Sequence, residues 1–170
     1  MDSSTLSDVV RSSDSVVDLL RSRDTGWVGF PNVPDEHSHW IEEQRAWAET
    51  CSFADQSHHM VDYWVEGPDA RALFSDLAVN SFEGFGPGKA KQLVVANPDG
   101  YFIGDGILFC FDEGDYSLVG PPQAVNWVQY HAETGDYDVE TEREETSGVR
   151  EGPPRHYRYQ LQGPKARSIM

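Results

Sequence analysis

Residues 92–120 read QLVVANPDGYFIGDGILFCFDEGDYSLVG, and this stretch decides the fold. Three runs in it are rich in β-branched and aromatic residues, which is typical of strands: 92–97, 101–111 and Tyr116–Val119. Asn97-Pro98-Asp99-Gly100 predicts a tight turn between the first two runs, because Pro suits its second position and Gly tolerates positive φ. Residues 112–115 predict a second turn. The stretch therefore predicts consecutive antiparallel strands.

Apolar residues at helical spacing predict four helices along the chain. The first is one continuous amphipathic helix, with a single stripe formed by Leu6, Val9, Val10, Val16, Val17 and Leu20. The second runs from about Ser38 to Thr50, and we expect one of its faces to lie in the core: Trp40, Gln44, Trp47 and Cys51. The third follows Gly67-Pro68-Asp69, and the fourth begins at Pro121-Pro122 and ends near Ala132.

The remaining segments complete the predicted order of elements. Met60–Val65 reads as a strand, Tyr137–Glu151 as an acid-rich solvated strand and loop, and Tyr157–Leu161 as a last strand. The order predicts an α+β fold, a largely antiparallel mixed sheet with flanking helices. A chain of 170 residues suits one principal domain. We expect an N-terminal helix and loop over residues 1–35 and the domain itself over residues 36–170.

The charge of the chain excludes two classes of partner. Acidic residues outnumber basic residues 29 to 13, which gives a formal charge of −16 at pH 7. Because this sign repels phosphates and anionic headgroups, we expect no nucleic acid and no membrane as a partner. The longest apolar run, Ile107–Phe111, is far shorter than the ~20 residues of a membrane span. The polar N-terminus lacks the features of a secretory signal, which favours a cytoplasmic protein.

The composition also bears on the habitat. Only three basic residues are lysines: Lys89, Lys91 and Lys165. A dense carboxylate surface stays soluble in concentrated salt but repels itself in dilute buffer. A halophilic source is one interpretation, and an arginine-favouring, GC-rich genome is the other. Cys51 and Cys110 both lie in apolar surroundings, which favours reduced thiols over a disulfide.

One short run collects groups with catalytic potential: Asp55-Gln56-Ser57-His58-His59-Met60. Contiguous residues rarely converge in the geometry of a serine-hydrolase triad, and no Gly-x-Ser-x-Gly elbow occurs. His58 and His59 point to opposite faces of an extended segment, and no Cys or His stands at zinc spacing, so we expect no metal. One histidine is expected to point inward and one outward, either as a core hydrogen-bonding pair or as a substrate contact.

Asp105 is a carboxylate inside the apolar run Tyr101–Leu108. In such a position a carboxylate must be paired, hydrogen-bonded or functional. Gly104 and Gly106 flank it, and glycines in a strand are typical of places where another molecule approaches the backbone closely. The alternative is a β-bulge that turns Asp105 towards water.

These residues belong to a pattern of six motifs in a fixed order: Glu43-x-Arg45-Ala46, Asp55-x-Ser57-His58, Gly67-Pro68-Asp69-Ala70, Gly88-Lys89-Ala90, Gly100-x-x-x-x-Asp105 and Leu161-Gln162-Gly163-Pro164. The pattern resembles the N-terminal folate-binding domain of the glycine-cleavage T-protein (aminomethyltransferase) superfamily. Within that superfamily the chain looks most like the tetrahydrofolate-dependent O-demethylases of methoxylated aromatic acids such as vanillate and syringate. Trp47, the run 55–60 and three further segments support this: 80–82, 84–87 and 126–128.

The resemblance implies a cofactor, a reaction and a set of site residues. The cofactor is tetrahydrofolate, and the reaction moves a methyl group from an aryl ether oxygen to a nitrogen of that cofactor. His58 and His59 would be the catalytic residues at the border of substrate and pterin, with His59 also contacting the methoxyaromatic substrate. Asp105 and Tyr101 would line the folate side, and Phe30 would cover the aromatic substrate.

Two departures from the T-protein pattern favour the demethylase branch. Gly104 stands where T-proteins carry the first of two aspartates, and His59 stands where they carry a methionine. Aminomethyl transfer from a lipoyl carrier and a non-catalytic folate-binding module remain as alternatives. Because superfamily members are longer, we also expect the remainder of the chain to follow Met170, and residues 1–170 alone to be inactive and prone to associate.

Overall fold

A computed structural model describes residues 5–22 and 38–170 of the chain. Its helices are α1 Leu6–Arg11, α2 Val16–Ser22, α3 Trp40–Glu49, α4 Ala70–Leu77, α5 Pro122–Thr134 and α6 Ala166–Ile169. Its strands are β1 Ser52–Asp55, β2 Val61–Glu66, β3 Lys89–Ala96, β4 Phe102–Asp112, β5 Asp115–Gly120, β6 Glu140–Glu144 and β7 Tyr159–Gln162. The α+β class with antiparallel sheets and flanking helices is confirmed.

The predicted hairpins form the centre of a five-stranded antiparallel sheet in the order β3-β4-β5-β2-β6. The turn between β3 and β4 is closed by a hydrogen bond from the Gly100 amide to the Asn97 carbonyl, at 2.9 Å. The Asn97 side-chain oxygen accepts a second bond from the Tyr101 amide, at 2.8 Å. Local turn chemistry therefore fixes the register of the two longest strands.

The hydrophobic core lies between one face of this sheet and the helices α4 and α5. Side chains alternate along each strand, so β4 presents Leu108 and Cys110 to the helices. Leu73 and Phe74 of α4 and Val125 and Val128 of α5 are fully buried against that face. Burial of one such side chain stabilises the fold by roughly 1.5–3 kcal/mol. The opposite side, which we call the open face, carries Trp64, Gln92, Asp105, Ile107, Phe109 and Phe111.

The last predicted strand pairs outside this sheet, with a strand that the sequence did not predict. β7 lies antiparallel to β1 in a separate two-stranded sheet, with Ser52 opposite Gln162. Gly163 follows β7 at φ 137°, and a Cβ there would lie 2.6 Å from the carbonyl oxygen of Thr50. Glycine is therefore required in the Leu-Gln-Gly-Pro motif by the close approach of the chain before β1.

The single N-terminal helix that periodicity predicts is instead two short helices. α1 ends at Arg11, and α2 begins at Val16. Between them the Ser13 hydroxyl donates to the carbonyl of Ser15 at 2.9 Å, and the Ser15 hydroxyl accepts from the Asp18 amide at 3.2 Å. Serine side chains compete with the helical hydrogen-bond ladder in this way, and they start a new helix.

The expectation that one face of α3 lies in the core is wrong for the described residues. Trp40 and Trp47 are 54% and 55% exposed, and no residue of α3 is buried. Periodicity identifies which face of a helix is apolar, but it does not identify what covers that face.

Three other expectations meet the structure only in part. Both cysteines are free thiols, with Cys110 buried and Cys51 half-buried. No helix within residues 5–22 and 38–170 combines the length and apolar character that crossing a membrane requires. The expected division at residue 35 lies outside the described residues.

The charge of −16 predicts that salt stabilises this protein. Raising KCl from 0.1 M to 1 M shortens the Debye length from about 10 Å to about 3 Å, which weakens repulsion between surface carboxylates. We expect the melting temperature, followed by circular dichroism, to rise over this range. A flat or falling curve would contradict the halophilic interpretation and leave the GC-rich one.

Candidate functional site

The run Asp55–Met60 comprises the last residue of β1 and the loop that leads to the start of β2. Its first half is tied to the chain just before β7. The Gln56 amide donates to the Arg158 carbonyl at 2.8 Å. The buried Ser57 hydroxyl accepts from the Arg158 amide at 2.7 Å, and the Ser57 amide donates to Asp55 Oδ1 at 2.9 Å. We call residues 55–59 the site loop.

His58 lies half-buried in the site loop, and both of its ring nitrogens have partners. Nδ1 lies 2.7 Å from Ser147 Oγ, and Nε2 lies 3.3 Å from Asp55 Oδ2. The Ser147 amide donates to the His58 carbonyl at 3.0 Å. Ser147 Oγ also accepts from Arg150 Nη2 at 3.1 Å. His58 therefore joins the site loop to residues 147–150.

The ionisation of Asp55 reflects this network. Burial raises the pKa of its carboxyl. The hydrogen bonds from Ser57 and the charge of His58 outweigh that effect, so the pKa of Asp55 lies below its ordinary value. An ionised Asp55 is a suitable acceptor for the His58 ring.

His59 differs from its neighbour because it is exposed, and its ring makes no hydrogen bond with residues 5–22 or 38–170. Partial desolvation of the ring disfavours its charged form. The positive charges of Arg158 and His58 act in the same direction, so the pKa of His59 lies below its ordinary value. The expected contrast between one inward and one outward histidine is thus present, and His59 is the one that faces outward.

Asp105 lies on the open face in regular register, opposite Val94 of β3. It is half-buried, and Gln92 Nε2 donates a 2.6 Å hydrogen bond to its Oδ2. The irregularity in this strand pair falls between Val95 and Ala96, which lie opposite Gly104 and Phe102, so the extra residue is Ile103. Asp105 is therefore hydrogen-bonded beside an apolar surface, and it does not occupy a bulge.

The two glycines that flank Asp105 have a different role from the one expected. They point into the core, where a Cβ on Gly104 would lie 3.1 Å from the Ala124 amide nitrogen. A Cβ on Gly106 would lie 2.8 Å from the Val119 carbonyl oxygen. The group that approaches the backbone closely is therefore this chain's own α5 and β5.

Strand pairing brings the two halves of the candidate site to the same end of the sheet. Gly120, the last residue of β5, pairs with Val61 on one side. On its other side, a Cβ on Gly120 would lie 3.1 Å from the Asp105 carbonyl oxygen. His59 precedes Val61 by two residues, and neighbouring strands lie about 4.8 Å apart. Asp105 and the site loop therefore flank Gly120.

The other two expected site residues are less constrained. Tyr101 lies in the turn before β4, is 71% exposed and precedes Asp105 by four residues. An extended chain covers roughly 13 Å over that separation, so its ring is remote from Asp105 unless a ligand spans the gap. Phe30 lies outside the described residues.

Part of the open face is covered by residues 155–158. The Trp64 ring is 3% exposed, with Arg155 Cζ 4.2 Å and the His156 ring 4.8 Å from its centre. Ile107 and Phe111 remain about half exposed. The uncovered part of the open face is thus apolar, with the Asp105–Gln92 pair at one side.

In the part of the chain that the structure describes, the site is an open surface and not an enclosed cavity. Two open depressions, of about 560 and 410 Å³, are lined by residues 66–68 and 112–115 and by residues 12–15, 18 and 19. Neither touches the site loop, Tyr101 or Asp105. Within residues 5–22 and 38–170, no group of three His, Cys, Asp or Glu side chains is placed to hold a metal ion.

Sequence reasoning missed three residues of this site: Gln92, Ser147 and Arg158. The register set by the Asn97–Gly100 turn places Gln92 and Asp105 on the same face of the sheet, so their contact could have been predicted from the turn. Ser147 and Arg158 reach the site loop from 89 and 101 positions away, and no local pattern marks them.

Comparison with known proteins places this geometry in a family. The GCVT N-terminal domain family matches residues 26–170. The syringate O-demethylase of Sphingobium sp. strain SYK-6 is 48% identical over 166 residues, which cover 97% of this chain and 36% of that protein. The aminomethyltransferase of Bacteroides thetaiotaomicron is 29% identical over 108 residues, which cover 61% of this chain and 30% of that protein.

A solved structure shares the fold. The glycine cleavage system aminomethyltransferase T from Bartonella henselae superimposes with a TM-score of 0.58 at 19% identity, over 76% of this chain and 33% of that chain. The chain spans about a third of the length of these curated relatives. The ordered motifs, the antiparallel fold and the match over residues 26–170 together lead to one conclusion: the chain belongs to the GCVT N-terminal domain family.

Proposed function

We propose that this chain is part of a tetrahydrofolate-dependent O-demethylase that acts on a methoxylated aromatic acid. The observation that carries the proposal is the 48% identity to a syringate O-demethylase along 97% of the chain. The arrangement of Asp105 and His59 at one end of the sheet supports it. The aminomethyltransferase relative has lower identity and covers less of this chain.

The structure also gives a reason why the T-protein pair of aspartates is incomplete here. Gly104 occupies the first position of that pair and faces the core. A Cβ at this residue would lie 3.2 Å from the Ala124 side chain, so a larger side chain there requires α5 to shift. This packing favours the demethylase over the aminomethyltransferase alternative.

The open face suits a folate cofactor. The Asp105 carboxylate accepts hydrogen bonds and the Gln92 amide both donates and accepts, which matches the mixed donors and acceptors of a pterin edge. Ile107 and Phe109 next to them offer an apolar surface for a flat ring. Tetrahydrofolate, when bound, supplies the nitrogen that accepts the methyl group.

The residues of the protein must supply a proton to the leaving oxygen. Cleavage of the O–CH₃ bond releases an aryl oxygen that must gain a proton, while the accepting nitrogen loses one. The lowered pKa of His59 favours its neutral form, so it must take up a proton before it donates one. The carboxylate of an aromatic acid beside His59 favours its protonated form, because opposite charges attract. His58 positions the loop.

A domain exchange tests the activity. We expect a chimera in which residues 1–170 replace the matching third of the Sphingobium enzyme to demethylate syringate with tetrahydrofolate. In that chimera, His59→Ala is expected to slow turnover by about 10²–10⁴-fold, which is the usual effect of losing a general acid. Product formation is measured by liquid chromatography. His39→Ala, a change at the exposed cap of α3, is the matched control.

Two results would count against these assignments. A well-folded chimera that never demethylates syringate would contradict the proposed reaction. A His59→Ala chimera with normal turnover would remove His59 from the chemistry, whatever its melting temperature.

Asp105 is expected to contribute to folate affinity. Removing one partner of an oriented hydrogen bond costs ~1–3 kcal/mol, so Asp105→Ala should weaken tetrahydrofolate binding about 5- to 150-fold. Isothermal titration calorimetry on the chimera measures this change. Asp99→Ala, in the exposed turn before β4, is the control that should bind normally. Equal affinity of the two variants would place the cofactor elsewhere.

The lowered pKa of His59 predicts a dependence of stability on pH. The unfolded chain takes up a proton at His59 at a higher pH than the folded chain, so folding loses stability as pH falls through about 6.5. In urea unfolding of the 170-residue chain, His59→Gln should lose less stability than the wild type between pH 7.5 and 5.5. Identical losses would mean that His59 has an ordinary pKa.

A further inference from the structure

Arg158 stands at a junction that none of the proposed roles uses. It precedes β7, and its side chain is 16% exposed. Its Nη1 lies 2.6 and 2.5 Å from the two carboxylate oxygens of Asp62 in β2. The Asp62 side chain is 6% exposed, and it also accepts a 3.4 Å bond from the Ser117 hydroxyl of β5. This ion pair therefore joins the residue just before β7 to β2, an inner strand of the five-stranded sheet.

The same residue also holds the site loop through its other polar groups. Nη2 donates to the Gln56 carbonyl at 3.1 Å. The Arg158 main chain bonds the Gln56 amide at 2.8 Å and the Ser57 hydroxyl at 2.7 and 3.2 Å. A planar guanidinium can reach Asp62 and Gln56 together, whereas a single ammonium group cannot reproduce this fork.

Arg158 also brings a positive charge to the site loop, because its guanidinium donates to the Gln56 carbonyl, three residues before the exposed His59. The groups that bear on His59 are Arg158 and His58, and both are cations when protonated. Asp62 faces the guanidinium and holds it in place. The position of the Arg158 charge therefore depends on its ion pair with Asp62, which lies in β2 of the five-stranded sheet.

From this geometry we propose that Arg158 is a second positioning residue of the site, beside His58: its guanidinium anchors the site loop to Asp62 and fixes a positive charge next to that loop. The proposal rests on the proposed function only where it treats His59 as the reacting group. Arg158 acts through the loop and is not itself assigned a contact with substrate or cofactor.

Two substitutions in the 170-residue chain separate the two effects. R158K keeps the charge but loses the fork, so amide hydrogen exchange at residues 56–59 should become about tenfold faster or more, while the pKa of His59 stays as in the wild type. R158Q also loses the charge, so the pKa of His59 should rise. Both quantities are read by NMR, and neither measurement requires catalysis.

Two controls keep the outcome interpretable. R143K changes another ion-paired arginine, in β6, which contacts Glu145, Asn126 and Gln129 instead of the site loop. It should alter neither loop exchange nor the pKa of His59. If R158Q fails to fold because Asp62 is left buried without a partner, the double variant R158Q/D62N removes both charges and replaces R158Q.

The proposal is overturned if R158K leaves exchange at residues 56–59 unchanged. It is also overturned if a folded variant without the Arg158 charge leaves the pKa of His59 unchanged. Failure of the chimera to demethylate syringate would contradict the proposed function but leave these NMR results standing, so the two failures are distinguishable.

Discussion

The alternation of side chains along β4 is the constraint on which the rest of the structure depends. Every second residue of this strand must fit against α5 and β5, and the packing is so close at Gly104 and Gly106 that a Cβ would meet backbone atoms. The alternate residues, such as Asp105 and Ile107, face away from the core and do not have to fit this packing. Asp105 can therefore be polar and Ile107 can be half exposed without a penalty to the core. One face of β4 thus packs in the core, and its other face carries a polar side chain and half-exposed apolar side chains.

The two histidines illustrate how neighbouring residues of one type acquire different properties. His58 is held by Asp55 and Ser147, so its position is determined by the loop. His59 has no comparable partner among the described residues, and its pKa is lowered first by partial desolvation and then by the positive charges of Arg158 and His58. Adjacent side chains of the site loop therefore differ in accessibility: the His58 ring is held by hydrogen bonds, whereas the His59 ring is exposed.

The sequence was informative wherever the determining interactions are local. The Asn97–Gly100 turn, the strands on either side of it and the helices that begin after Pro68 and at Pro121 and Pro122 follow from turn chemistry and periodicity. The motif order also identified the family. Other features depend on contacts that no local pattern encodes, such as the pairing of β1 with β7 or the link between Arg158 and Asp62. The break between α1 and α2 is an intermediate case. Ser13 and Ser15 are residues that favour a helix end and a helix start, but the apolar periodicity of residues 6–20 predicted one continuous helix.

The pairing of β1 with β7 has a consequence for the order in which the molecule assembles. Strands β3, β4 and β5 are consecutive in the chain and are joined by short loops, so they can pair early. Residues Ser52 and Gln162 are 110 positions apart, so their pairing closes a far longer loop, at an entropic cost that rises slowly with loop length. The site loop acquires its Arg158 contacts only when that closure is complete. The core can therefore be native while the site is still unformed, and under mild stress the site is expected to open before the core does.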